Sequence, residues 1–401
     1  MSRTANALVC RAAPALRSTV LQSARSPCLR RGFAQETSFP KPLKLKGVLK
    51  PLKQFMVTPT VGTEFPEANL VEMLNAPNSD ELLRDLAITI SRRGVVFFRG
   101  QNNMTNDLQK TLIQRMGELV GKPKESTLHI HPVLNPQRAL GGDDLHISTI
   151  NSKQRIMAQG KSVPRDLGNA RQALESWHSD IQSEQVPSDY TCLRLVGLPS
   201  VGGGMSISRH AFTHILIRFS DTLWASGYEV YDRISEPMRK LLEGKTANYT
   251  APFFEKIIKM KNLQVYTDAR GHPENVGNPL KAVHPVIRTN PVTGWKSVFS
   301  IGAYPGSING LTPPESEMIL NWLMDMVLRN HDLQCRFRWQ GPNDMAIWDN
   351  RSMVHNATMD YDEFGDRFGY RVCGIGEKPY FDPNSKSMRE GLAEEAKEES
   401  S

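Results

Sequence analysis

Between residues 94 and 376 the chain repeatedly breaks into short runs rich in β-branched and aromatic residues, each closed by turn-forming residues. They read GVVFFRG (94–100), YTCLRLVGL (190–198), WKSVFSIG (295–302), CRFRWQ (335–340), MAIWD (345–349) and RFGYRVCGIG (367–376). Runs this short cannot stand alone, so they must pair into sheets and bury a face. Helix signals are fewer: Ser79-Asp80 ahead of ELLRDLAITISRR, then MTNDLQKTLIQRMGELV, EVYDRISEPMRKLLEG, and Thr312-Pro313-Pro314-Glu315 opening EMILNWLMDMVLRN. Many short strands and a few covering helices predict a mostly β fold, a β-sandwich or jelly roll. No repeat, low-complexity tract or long linker divides 45–385, so one folded unit is expected there. The acidic, Ser-ended tail 386–401 (with GLAEEAKEESS) is expected to be disordered.

Charge separates the ends from the body. The net charge is +7, but residues 1–35 alone hold Arg3, Arg11, Arg17, Arg25, Arg30 and Arg31 and no acid. The rest is therefore nearly neutral and lacks the electrostatic footprint of a nucleic-acid binder. An Arg-, Ser- and Ala-rich, acid-free leader has the composition of a mitochondrial transit peptide, so 1–35 predicts import to the matrix, with a cytoplasmic protein as the alternative. No run approaches the eighteen apolar residues of a membrane span. Five scattered cysteines without CxxC spacing indicate neither a disulfide framework nor a cysteine metal site.

The chemistry-bearing pattern is Trp177-His178-Ser179-Asp180. On a strand, positions i and i+2 share a face, so His178 and Asp180 can reach one metal ion. Two ligands are too few, and a second imidazole would complete the two-His, one-carboxylate set of non-haem Fe(II) oxygenases. His355 is the candidate, because it follows the buried-looking strand MAIWD and a turn. Beyond it stand Arg367 and Arg371 in an alternating segment, where a guanidinium can hold the carboxylate of an acid cosubstrate in a fixed fork. The plainer reading makes them surface arginines balancing Asp360, Asp362, Glu363 and Asp366.

With these residues in order, most of 55–380 resembles the taurine dioxygenase (TauD/TfdA-like) family of Fe(II)- and 2-oxoglutarate-dependent dioxygenases. The matching blocks are LHIHPV (128–133), WHSD (177–180), an interrupted GG…DTLWASGYE (202–229), HPVIRTNPVTGWKSVF (284–299), RFRWQGPNDMAIWDNRSMVH (336–355) and DYDEFGDRFGYRVCGIGEKPYF (360–381). The resemblance implies a clavaminate-synthase-like double-stranded β-helix with Fe(II) on His178, Asp180 and His355. It further implies 2-oxoglutarate held through Arg367 and Thr222, O2 as co-reactant, and succinate and CO2 as products. Arg371 and His131 match the positions that hold a sulfonate; hydroxylation of a carbon bearing that group releases an aldehyde and sulfite. Leu134 and Leu174 replace a Tyr and an Asn of taurine-specific members, which implies a small anionic substrate with a less polar tail than taurine. Self-association is left open.

Seventeen residues, Gly204 to Ser220, split the family's continuous GGDTLW run. Their codons can spell a GT donor and an AG acceptor whose removal keeps the reading frame, so an unspliced intron is the expected origin and a surface loop insertion the alternative. Two other functions compete with a sulfonate-type dioxygenase. One is a trimethyl-amino-acid hydroxylase of the carnitine-pathway type, which calls for an aromatic cage. The other is a non-catalytic fold relative whose cosubstrate loop is disrupted.

Overall fold

A computed structural model of the chain describes residues 39–133, 144–151, 177–199, 221–358 and 365–401. The leader 1–35, the segment 204–220, and Leu134 and Leu174 lie outside the described residues. The major sheet has seven strands, edge to edge Phe55–Met56, Thr63–Phe65, Val95–Phe98, Asp344–Asp349, Ser188–Gly197, Phe368–Ile375 and Ser148–Asn151. All neighbours are antiparallel except Thr63–Phe65 against Val95–Phe98. A minor sheet of three strands, Gln334–Arg338, Asp221–Ser226 and Met353–Ala357, faces it.

The period-two pattern of VVFF explains the layering. Val96 and Phe98 point to the outer core with Leu83, Leu86 and Ile90 of helix Ser79–Arg93 and Leu112, Ile113 and Met116 of helix Asn106–Leu119. Val95 and Phe97 point the other way, into the space between the sheets, with Trp224, Phe337, Trp339 and Trp348. There Phe97 stacks on Phe337 at 4.0 Å between centroids, and Trp224 meets Trp348 edge-on at 5.7 Å. Aromatic residues thus fill the sandwich, as expected of a jelly roll. Helix Pro313–Arg329 packs Ile319, Leu323 and Val327 into a third cluster outside the minor sheet.

Three local expectations change. Helix Ser79–Arg93 is preceded by Asn78 at the cap position, and Ser79 is already helical, donating its hydroxyl to the Leu74 carbonyl. EVYDRISEPMRKLLEG forms two helices, Gly227–Arg233 and Glu236–Leu242, because Pro237 lacks the N–H needed to continue a helix and restricts the residue before it. The tail 386–401 is not disordered: Met388–Ser400 is a helix whose Ser387 and Glu390 form a capping box. Met388 is buried with Trp295 and Tyr228, and Arg92 forks onto Glu395 at 2.8 and 2.6 Å. Its acidic composition conceals an anchor that becomes available only when Arg92 and Trp295 are brought there by the rest of the fold. The composition also gives no warning of helices Leu70–Asn75 and Pro252–Lys261.

Candidate functional site

His355 is held by a backbone ladder. Its strand, Met353–Ala357, pairs antiparallel with Asp221–Ser226 and sets His355 opposite Trp224. The turn after Asp349 carries the chain from the major sheet into the minor one, and His355 lies on the latter.

His178 and Asp180 are held differently. They do not share a regular strand: His178 makes one isolated bridge to His355, with paired backbone hydrogen bonds of 3.1 and 2.8 Å, and Asp180 already lies in a turn. Side chains anchor the rest of this arm. Gln182 donates to the Phe299 carbonyl, and His284 Nε2 meets the Gln182 and Glu184 carbonyls at 3.1 and 2.9 Å. The Asn275 carboxamide receives the Val186 N–H, and Arg270 forks onto Glu184 at 2.5 and 2.8 Å. Gly302, at φ 97°, lets the chain pass so close to the arm that a Cβ there would overlap the Trp177 carbonyl oxygen.

The expected triplet is assembled. One ligand atom each from His178, Asp180 and His355 lies within 4.8 Å of the others, and the imidazole centroids are 4.3 Å apart. Asp180 is buried, whereas the His178 side chain is 30% exposed, so the cluster opens on that side. Burial alone would raise the Asp180 carboxyl, but the Arg371 guanidinium and both imidazoles outweigh it and bring it down to about 2. Burial, reinforced by His178 and the two arginines, pushes His355 down to about 3, so at neutral pH it is an uncharged lone-pair donor. Asp180 Oδ2 and His355 Nδ1 are buried and hydrogen-bond to no described residue. A carboxylate anion and two imidazoles whose ligand atoms converge, with Asp180 Oδ2 and His355 Nδ1 bonded to no described residue, are a chemical fit for a divalent transition metal.

Thr222 and Arg367 also come together. Arg367 Nη2 and Trp339 Nε1 donate to Thr222 Oγ1 at 3.1 and 3.0 Å. Two N–H donors on that oxygen leave its own O–H to be given to an acceptor. Thr222 keeps its ladder positions opposite Phe337 and Ala357. The interruption before Asp221 therefore does not displace it.

Arg371 Nη1 donates to Asp180 Oδ1 at 2.7 Å, while its buried Nε hydrogen-bonds to no described residue. His131 is buried beside them, and its Nδ1 accepts the Val133 N–H at 3.1 Å. That bond assigns the ring proton to Nε2 and makes this face of the ring a donor. Burial, then His129 and Arg371, hold His131 well below the ordinary histidine value.

Three further residues join the site without being singled out as functional by the sequence, although His129 stands inside the LHIHPV block. His129 hydrogen-bonds Glu184 at 3.2 Å and so joins the Arg270 pair. Tyr304 lies 6.3 Å from the His178 ring, and burial, then Asp180, push its phenol up. Phe254 sits edge-on to His131 at 4.9 Å. Tyr304 and Phe254 come from segments far in the chain from the histidines they meet, whereas His129 is distant only from its partner Glu184.

Two facing β-sheets carrying a His-Asp-His triplet, with an arginine at the start of a major-sheet strand hydrogen-bonded to a threonine of the minor sheet, define the 2-oxoglutarate-dependent oxygenase class. Residues 53–373 match the family model for taurine catabolism dioxygenase TauD, TfdA family. The alpha-ketoglutarate-dependent dioxygenase esdpJ of Penicillium shearii is 46% identical over 370 residues, covering 88% of this chain and 97% of that protein. An alpha-ketoglutarate-dependent sulfonate dioxygenase of Saccharomyces cerevisiae is 29% identical over 332 residues, 82% of this chain and 68% of that one. A crystal structure of a taurine dioxygenase from Burkholderia xenovorans shares the fold with a TM-score of 0.56 at 20% identity, covering 83% of this chain and 94% of that chain. The chain belongs to the TauD/TfdA family. It is an alpha-ketoglutarate-dependent dioxygenase, and the cofactor set of the class is Fe(II), 2-oxoglutarate and O2.

Proposed function

We propose that this dioxygenase hydroxylates a small anionic, sulfonate-like organic substrate. Fe(II) is assigned to His178, Asp180 and His355, the distal carboxylate of 2-oxoglutarate to Arg367 and Thr222, and the substrate anion to Arg371 and His131. One observation carries the substrate class: Arg371 reaches the triplet, contacts Asp180 at 2.7 Å, and has a second buried N–H bonded to no described residue. A guanidinium so placed attracts an oxyanion and repels a quaternary ammonium, which disfavours a trimethyl-amino-acid substrate. The sulfonate dioxygenase of yeast, similar over most of this chain, supports the same direction.

Fe(II) with 2-oxoglutarate and O2 supplies the oxidising chemistry. The chain's residues do the rest. Neutral His355 and ionised Asp180 stand ready to bind a cation without first losing a proton at pH 7. The Thr222 hydroxyl and the Arg367 guanidinium present donors to a carboxylate. His131 Nε2–H and Arg371 orient an anion, and the apolar edge of Phe254 shields that side from water.

A non-catalytic relative would have no reason to keep the triplet and the Thr222–Arg367 pair assembled across an interrupted loop. The test is succinate formation by the full chain with Fe(II), ascorbate and 2-oxoglutarate, screened with sulfonates, sulfate esters and aryloxy acids. At least one such acid should raise turnover well above the substrate-free rate; if none does while trimethyl-lysine does, the substrate class is wrong. Matrix import through residues 1–35 is a separate proposal, supported by their composition and tested by where a fluorescent fusion of the leader accumulates. Intron retention at 204–220 is tested by cDNA sequencing across codons 200–225.

A further inference from the structure

Asn350 stands in the turn between the two sheets and is 1% exposed. Its side-chain oxygen accepts the Asp180 N–H at 3.0 Å, the Trp348 indole N–H at 3.0 Å and the Ser179 hydroxyl at 3.3 Å. Its amide nitrogen donates to Thr191 Oγ1 at 2.8 Å and Ser188 Oγ at 3.0 Å, and lies 3.5 Å from the Asp189 carbonyl. The backbone of the same residue receives the Ser179 hydroxyl at 2.7 Å and donates to the Asp189 carbonyl at 2.8 Å. The amide's orientation is forced. The Asp180 and Trp348 N–H groups can only donate, and the Asp189 carbonyl can only accept, so the oxygen must face the arm and the NH2 the major sheet. A carboxylate cannot donate, an ammonium cannot accept, and an apolar side chain does neither.

Two further observations bear on what this hub holds. Directly after Asp180, Ile181 adopts φ 53°, a left-handed conformation that a β-branched residue keeps only when its surroundings impose it. Trp348, oriented by the same amide oxygen, lies 4.8 Å from the His355 ring. One side chain therefore braces the backbone of Asp180 and the aromatic wall behind His355.

We infer that Asn350 is a positioning residue of the metal centre: it touches neither metal nor substrate, and it fixes the Asp180 carboxylate relative to the two imidazoles. The inference rests on the assignment of the metal to His178, Asp180 and His355. Outer partners of this kind typically set metal affinity by about 10–100-fold.

The experiment is anaerobic Mn(II) titration of the full chain, read by the loss of the free-ion EPR signal, together with melting temperature. Asn350→Ala is expected to raise the Mn(II) Kd by about 10–100-fold. Leu83→Ala, a core truncation in the outer helix layer, lowers the melting temperature yet should leave Kd within about twofold, since it lies across the major sheet from the arm. Ser179→Ala, which removes one hydroxyl from the hub, should raise Kd by about threefold and decides the matter if Asn350→Ala does not fold. An unchanged Kd in the Asn350 variant, or in the Ser179 variant if only that one folds, overturns the inference. So does an equal loss of affinity in Leu83→Ala. If the wild type itself binds no Mn(II), or His178→Ala binds it as well as wild type, the metal assignment fails instead, and the inference with it.

Discussion

The two halves of the metal centre are built by opposite means. His355 lies on a strand whose position is repeated by every rung of its ladder with Asp221–Ser226, so no single side chain decides where it stands. His178 and Asp180 lie on an arm with one bridge, and everything beyond that bridge depends on individual polar residues: Asn350, Gln182, Glu184 with Arg270, and His284. A ladder distributes the work of positioning. An arm concentrates it in a few buried groups, each costly to leave unsatisfied.

The sharpest way to break this contrast is to remove the ligands themselves. His355→Ala and Asp180→Ala should each abolish Mn(II) binding and reduce succinate formation to background, whichever half they come from. The next largest effect separates the halves. Arg270→Ala leaves Glu184 buried without its guanidinium, and should cost about 3–5 kcal/mol in denaturant unfolding and weaken Mn(II) binding through the arm. If Mn(II) affinity is unmoved, the arm is not held from that end.

Arg367→Ala probes the ladder side. It should raise the 2-oxoglutarate KM by a factor corresponding to about 2–4 kcal/mol and leave the Mn(II) Kd alone. A matching loss of metal affinity would show that the ladder half is not independent.

A pH titration gives a smaller effect on the arm. Burial, then Arg288, push His284 down to about 4, below its ordinary value of 6.5. The unfolded chain therefore takes up the proton first as pH falls, and the stability contributed by the neutral ring is present above pH 6.5 and lost on the way to 4. The lead of wild type over His284→Gln in urea unfolding should shrink by about 3 kcal/mol across that window. Smallest of all, Glu395→Gln in the C-terminal helix should cost about 1 kcal/mol or less and leave turnover unchanged.

The same contrast explains what could be read from the sequence. The strands and the sandwich were legible because β-rich runs closed by turn residues are local signals, and His355 because it follows one of them; which face each residue of VVFF takes was not, since an unbroken apolar run is buried on both sides. His178 and Asp180 were legible as a pair, although the strand geometry used to join them was wrong: the arm turns at Asp180. Asn350 was visible only as one letter of WDNR. Its function needs Ser188, Thr191 and Asp180 around it, and those neighbours arrive from as many as 170 positions away. The C-terminal helix was missed for the same reason, since its partners Arg92 and Trp295 are distant in sequence.

The hydrogen bond from Arg371 to Asp180 has a last consequence. If that guanidinium also receives the substrate's oxyanion, as proposed, its N–H groups are divided between a guest and a metal-binding carboxylate. Occupancy at one position then changes the free energy of filling the other, and thermodynamic reciprocity requires the effect to run equally in both directions.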